Sequence, residues 1–139
     1  MFEVPEGFAP IEHSAEFGRL TGPFYEKLEG DNFVRAFHVA EKLTNSFGFT
    51  HGGMMMTFAD IVLARASREA AKLPVVTLRM GTNFVGPARQ GDWVEGRGQV
   101  TRATRSLVYV TGRLSVGRKT VLTADGVFRI VRRDRGLAA

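Results

Sequence analysis

The sequence has no cysteine in its 139 residues. Disulfides, thiolate metal sites and cysteine nucleophiles are therefore excluded, and the reducing cytoplasm is the expected location. A long hydrophobic run is also missing. The longest apolar stretch, Met54 to Ala66, is broken by Thr57, Asp60 and Arg65, and it falls short of the ~20 residues that span a bilayer. A soluble protein with no membrane partner is expected. The opening MFEVPEGFAP lacks the basic start and apolar core of a secretory signal. No glycine-rich phosphate fingerprint follows a strand, and no repeat or low-complexity tract divides the chain. One domain over residues 1–139 is expected, with 1–18 as a loose N-terminal extension and 132–139 as a frayed tail.

The apolar fraction of 44% and charged fraction of 24% are those of an ordinary globular protein. Net charge is +5 and the pI is about 10.2. Such a balance suits an anionic partner: a nucleic acid, a membrane surface or a phosphorylated small molecule. The plain alternative is a charge that only maintains solubility.

Along the chain, a short helical turn is expected near Ile11 to Phe17. Strands follow at Phe24–Leu28 and from Phe33 through Val39 to about Leu43, separated by the turn residues Glu29-Gly30-Asp31-Asn32. Gly53 to Lys72 reads as one long helix, apolar nearly all round in its first half and stopped before Pro74. Strands are expected again at Val75–Phe84, Trp93–Thr101, Leu107–Val116 and Thr120–Val131. Short connections after the helix predict antiparallel neighbours. The fold class is α+β, a curved antiparallel sheet around one long central helix.

Chemistry concentrates in Asn45 to Asp60. His51-Gly52-Gly53 opens the helix, and glycines there let a ligand approach backbone amides that have no helical partner. Those amides can stabilise a developing oxyanion; the alternative is ordinary turn and cap geometry. Asp60 lies in the only polar or small stripe of the helix, with Thr57, Ala64 and Ser67. It is either a catalytic carboxylate or a structural acid paired with an arginine. His51 is a general base or a residue that holds the loop. Asn45 orients a water or carbonyl, or simply forms an Asx-turn. Thr77, on the strand after the helix, positions a water or serves β-propensity. Arg89, Arg102, Arg105, Arg118 and Lys119 lie in or beside loops, as solvated faces or as phosphate-binding forks. Met54, Met55 and Met56 read as adaptable core, with Met54 a candidate for lining an acyl pocket.

Together these residues resemble the hotdog-fold acyl-CoA thioesterases of the phenylacetate-degradation (PaaI-like) type. The resemblance rests on Asn45-x-x-Gly48-x-x-His51-Gly52-Gly53, with Asp60 nine residues after the histidine. It continues through Val76-Thr77, Gly86-Pro87-Ala88, Gly91-Asp92 and the Arg105-Ser106 turn, covering roughly residues 20–131. It implies a homodimer as the minimal active unit, usually assembled into a homotetramer, with active sites between subunits. Asn45, His51 and Gly52 would come from one subunit, and Asp60 and Thr77 from its partner. Asp60 would be nucleophile or general base, the Gly52 N–H would polarise the thioester carbonyl, and Asn45 would place water or substrate. Thr77 would orient the water, and His51 would steady the loop. Gly53, Met54 and Ser106 would touch substrate, with Arg89 and Arg105 taking coenzyme A phosphates.

The expected reaction is hydrolysis of an aryl or short-to-medium acyl-CoA, with no metal and no cofactor beyond the coenzyme A of the substrate. Rival readings are a non-catalytic acyl-CoA binding or sensing protein and an enoyl-CoA hydratase on the same fold. A nucleic-acid binder is disfavoured, because the basic residues are scattered without interleaved aromatics.

Overall fold

The computed structural model describes residues 2–13 and 15–132. Its elements run β1 (Ala9–Pro10), α1 (Glu16–Thr21), β2 (Phe24–Glu29), β3 (Asn32–His38), a 3₁₀ turn (Glu41–Leu43), α2 (Gly52–Ala71), β4 (Val75–Phe84), β5 (Trp93–Ala103), β6 (Leu107–Val116) and β7 (Lys119–Ile130). The strands form one seven-stranded sheet in the order β1-β2-β3-β5-β6-β7-β4, antiparallel throughout. Helix α2 packs on this sheet, so the expected α+β arrangement of one long helix on an antiparallel sheet is observed.

Two apolar clusters hold helix to sheet. Phe58 stacks on Phe24 and meets Phe37 edge-on, with ring centroids 5.9 and 4.7 Å apart. Farther along α2, Leu63 packs with Val108, Val110, Phe128 and Ile130. The helix sits close because the strands beneath it carry glycine. A Cβ on Gly112 would lie 2.7 Å from Leu63 Cδ2, and one on Gly96 would lie 2.9 Å from Leu114 Cδ2 and closer still to Val62.

Four sequence expectations need correction. The first residues are not a loose extension. Ala9 and Pro10 pair with β2 and the Ile11 N–H donates to Phe24 O at 2.9 Å, so the chain stays extended and the helical turn begins only at Glu16. Strand β3 stops at His38, because Val39 exchanges hydrogen bonds with Gly91 and Asp92 of a loop rather than with a strand. Helix α2 closes at Ala71, with Lys72 in the left-handed region (φ 56°), its N–H donating to Arg68 O. Most consequential, β4 does not pair with β5. The 85–92 loop carries the chain across the sheet, leaving β4 at an edge beside β7. Of the expected tail, residues 133–139 lie outside the described residues, whereas Arg132 donates to Arg105 O at 2.8 Å.

Candidate active site

The Asn45–Thr50 loop is shaped by Asn45. Its Oδ1 accepts the N–H groups of Phe47 and Phe49 at 3.0 and 3.2 Å, an Asx-turn, while Gly48 takes positive φ (80°). The 86–92 loop is stitched to this turn. Thr50 donates N–H and hydroxyl to Ala88 O, at 2.7 and 3.0 Å, and the Gln90 N–H donates to Gly48 O. Arg89 thereby stands over the Phe49 ring, 5.0 Å from its centroid. Asp92 accepts the Arg89 N–H at 2.8 Å and keeps the loop closed.

At the helix start, His51 is the N-cap, its Nδ1 accepting the Gly53 N–H at 2.9 Å. Gly53, expected at the substrate, thus has its amide committed to His51. The Met55 N–H reaches His51 O at 3.1 Å. Among the described residues the Gly52 N–H has no acceptor. A Cβ on Gly52 would meet nothing nearer than the Phe84 ring at 3.7 Å. The fold of one chain therefore does not require glycine there, and an amide open to an incoming oxygen gives it a use.

Asp60 is half-buried, not fully buried, and its partner is Thr77 rather than an arginine: Thr77 Oγ1 donates to Asp60 Oδ1 at 2.5 Å. Thr77 reaches it from β4, beside the bulge between Thr77 and Arg79. Among the described residues Asp60 Oδ2 has no hydrogen bond, so one oxygen is held and the other is open to a ligand. Thr57 and Ala64 flank Asp60 in a groove of about 570 Å³. The polar stripe continues to Arg68, not Ser67, which is fully buried against the sheet.

The groove lining also includes His13, Arg35, Ile61 and Arg65, which sequence reasoning passed over as site residues, and Met56, which it read as core. Met56 points there and accepts the Thr82 hydroxyl through its sulfur, whereas Met54, expected to line an acyl pocket, lies in the core. Met56 stands four residues before Asp60, one turn away on the same helix face, and that spacing held the signal. His13 and Arg35 left none, since only the tertiary fold brings them to Asp60.

Within one chain these groups form two half-sites. Asp60 follows Gly52 by eight positions on the helix, about 12 Å along the axis at 1.5 Å per residue. No single carbonyl contacts both. Asn45, His51, Gly52 and Arg89 gather at the helix start. The Arg105-Ser106 turn instead joins the β7 end near Val75, with the Ile130 N–H donating to Ser106 O at 2.8 Å, on the side of Thr77.

Comparison with known proteins gives the family. A family model described as the thioesterase superfamily matches residues 47–122. A Pseudomonas aeruginosa protein named as a candidate esterase, PA0474, is 37% identical over 134 residues, spanning 94% of this chain and 99% of that one. Among solved structures, the Escherichia coli PaaI protein from the phenylacetic acid degradation operon superposes with a TM-score of 0.77 at 19% identity, covering 86% of each chain. The Streptococcus mutans protein smu.793, bound to acetyl-CoA, gives 0.70 at 20% identity, covering 94% of this chain and 93% of that one. These likenesses show the hotdog fold. The superfamily model covers residues 47–122, which include His51, α2 and β4, the 37% relative spans nearly the whole chain, and the protein belongs to the thioesterase superfamily.

Proposed function

We propose that the protein is an acyl-CoA thioesterase that hydrolyses an aryl or short-to-medium acyl-CoA to the acid and free coenzyme A, with a homodimer as its active unit. The observation that carries this reading is the separation of two complementary half-sites on one helix: an open Gly52 amide and, too far along to meet the same carbonyl, a carboxylate held by Thr77. A twofold axis that reverses α2 against its copy brings Gly52 of one subunit toward the partner's Asp60. Strand β4 supports such an axis. It is a free edge strand whose Val76, Leu78 and Phe84 are exposed, an edge that calls for covering.

In this site the Gly52 N–H, with the dipole of α2 behind it, polarises the thioester carbonyl. Asp60 acts on that carbonyl as nucleophile or as the base that activates water, and the thiolate is a good leaving group. Thr77, donating to Asp60, keeps its lone pairs for the water. Asn45, its Oδ1 committed to the loop, offers Nδ2 to the substrate, and His51 fixes the helix start. Arg89 on one subunit and Arg105 with Ser106 on the other flank the entrance, suited to coenzyme A phosphates. The acetyl-CoA bound to the Streptococcus mutans neighbour supports this ligand class. A dimer of dimers and a cytoplasmic location complete the proposal.

The test is release of free thiol from phenylacetyl-CoA and a series of alkyl-CoA esters. Turnover of one or more of these supports the reading. Tight binding without thiol release points instead to a sensing protein, and an enoyl-CoA added to the panel that gains water without releasing thiol points to a hydratase.

A further inference from the structure

The groove that holds Asp60 carries more positive charge than thioester hydrolysis uses. Arg35 from β3 and Arg65 and Arg68 from α2 line it, together with His13. Arg35 and Arg65 each place Nε 2.9 Å from the same Glu26 oxygen, with side-chain exposures of only 14% and 15%. One carboxylate thus serves two sheltered guanidinium groups. Arg65 has further compensation, from Glu69 at 3.2 Å and from the Phe33 ring, 3.6 Å beneath its guanidinium. Arg35 has none: among the described residues its Nη groups make no hydrogen bond. Burial lowers its pKa against the opposing pull of Glu26, and Arg65 and Arg68 add to the lowering. Arginine nevertheless stays charged, and its bonded counter-charge is shared with Arg65, while Asp60, also in the groove, bonds Thr77 and no arginine among the described residues. A purely apolar occupant would desolvate Arg35 further without supplying a partner.

His13 adds a second unmet group. Its Nε2 is buried and has no partner among the described residues. The ring is fixed in place, edge-on to Phe24 at 5.4 Å and against Gly18, where a Cβ would fall 2.5 Å from Nδ1. Burial first, then Arg35 and Arg19, lower the His13 pKa. The shift favours the neutral ring, which still carries one N–H for an acceptor.

We propose that Arg35 and His13, with Arg68 beside them, receive a carboxylate at the far end of the acyl group, so that the preferred substrate is a carboxyacyl-CoA. This rests on the thioesterase reading and names its substrate class. The Nη edge of Arg35 is a planar fork matched to a carboxylate. A coenzyme A phosphate is the competing anion, but the pantetheine arm separates every phosphate from the thioester. The arginines instead flank the group that meets the carbonyl. Arg65 and Arg68 follow Asp60 on α2 by about 8 and 12 Å along the axis, at 1.5 Å per residue.

The test uses two non-hydrolysable CoA thioethers of equal chain length, one ending in a carboxylate and one in a methyl group. Their binding to the full-length protein is measured by calorimetry. The carboxylate is expected to bind at least about tenfold more tightly, the worth of one charge-assisted pair. Arg35→Lys should erase most of that ratio. Arg68→Gln, at an exposed position, should reduce it and keeps the test decisive if the Arg35 variant does not fold. Equal affinities in the wild type overturn the proposal. The pair is also measured without the 3′-phosphate of coenzyme A. A ratio that persists supports the acyl carboxylate. If Arg35→Lys instead weakens unacylated coenzyme A and leaves the ratio near one, the arginine holds a phosphate and the proposal fails. Binding is read without turnover, so absence of thiol release would defeat the hydrolysis reading separately.

Discussion

Thr77 donates its hydroxyl proton to Asp60 Oδ1 at 2.5 Å, joining edge strand β4 to the middle of α2. The bond fixes the carboxylate's rotamer while leaving Oδ2 open, the arrangement expected of a group that acts on a ligand. Asp60→Asn keeps the oxygen that accepts from Thr77 and removes the charge. Its thioesterase rate should fall by roughly 10³-fold or more, the scale of losing a general base or nucleophile, with Tm little changed. Thr77→Val, which loses only the hydroxyl, should cost about tenfold. Thiol-release kinetics alongside thermal melts check both; an Asp60→Asn protein at wild-type speed would remove the carboxylate from the mechanism.

His51 presents a different case, because its ring nitrogen already has work within the fold. With Nδ1 accepting the Gly53 amide, His51→Ala should lower stability by about 1 kcal/mol, the usual worth of an N-cap. Asparagine caps helices well, so His51→Asn should restore most of that stability and retain activity within a few-fold. A loss of ~10²–10⁴ in His51→Asn would mark a general base instead. Denaturant melts and kcat on the two variants separate the roles.

Sequence alone disclosed the local parts of this protein. The bounds of β4 and β6 follow from their β-branched runs, and the stop of α2 before Pro74 falls at Ala71, one residue short of the expected end. What it withheld is non-local. Nothing near β4 in the chain says that it pairs with β7, and Arg35 reaches the Asp60 groove only through the register of β3 against β2 and β5. The role of the sheet glycines was hidden for the same reason. Strands were read through Gly96 and Gly112, but nothing local says that α2 comes close there. The alternative of an arginine partner for Asp60 failed because Thr77 comes to it from β4, on the face a second copy is proposed to cover.

Gly96 tests that close packing. An added methyl would fall within 2.9 Å of Leu114 and nearer still to Val62, on strand backbone with little freedom to retreat. Overpacking of this kind costs about 1–3 kcal/mol, so Gly96→Ala should lower the denaturation midpoint with an unchanged m-value. Gly52→Ala is the control. Its Cβ meets only Phe84 at 3.7 Å, and its stability should match or slightly exceed wild type, as alanine outperforms glycine in helices. Equal losses at both positions would contradict the packing described.

The last prediction decides whether one chain or two build the active site. Gly52→Val puts a side chain where the carbonyl must approach, and Asp60→Asn removes the acid. Each variant alone should be nearly inactive. In a dimer that carries one chain of each, one site combines the unaltered Gly52 of one subunit with the intact Asp60 of the other, and the second site holds both lesions. Equal mixing makes about half the dimers mixed, each with one good site of two, so co-refolded variants should regain about a quarter of wild-type activity. Sites confined to single chains would regain none, since every chain carries a lesion. Thiol release before and after mixing reads the answer, and the ~12 Å of helix between Gly52 and Asp60 sets the expectation. A mixture as inactive as its components would mean that the two half-sites do not meet across a twofold axis.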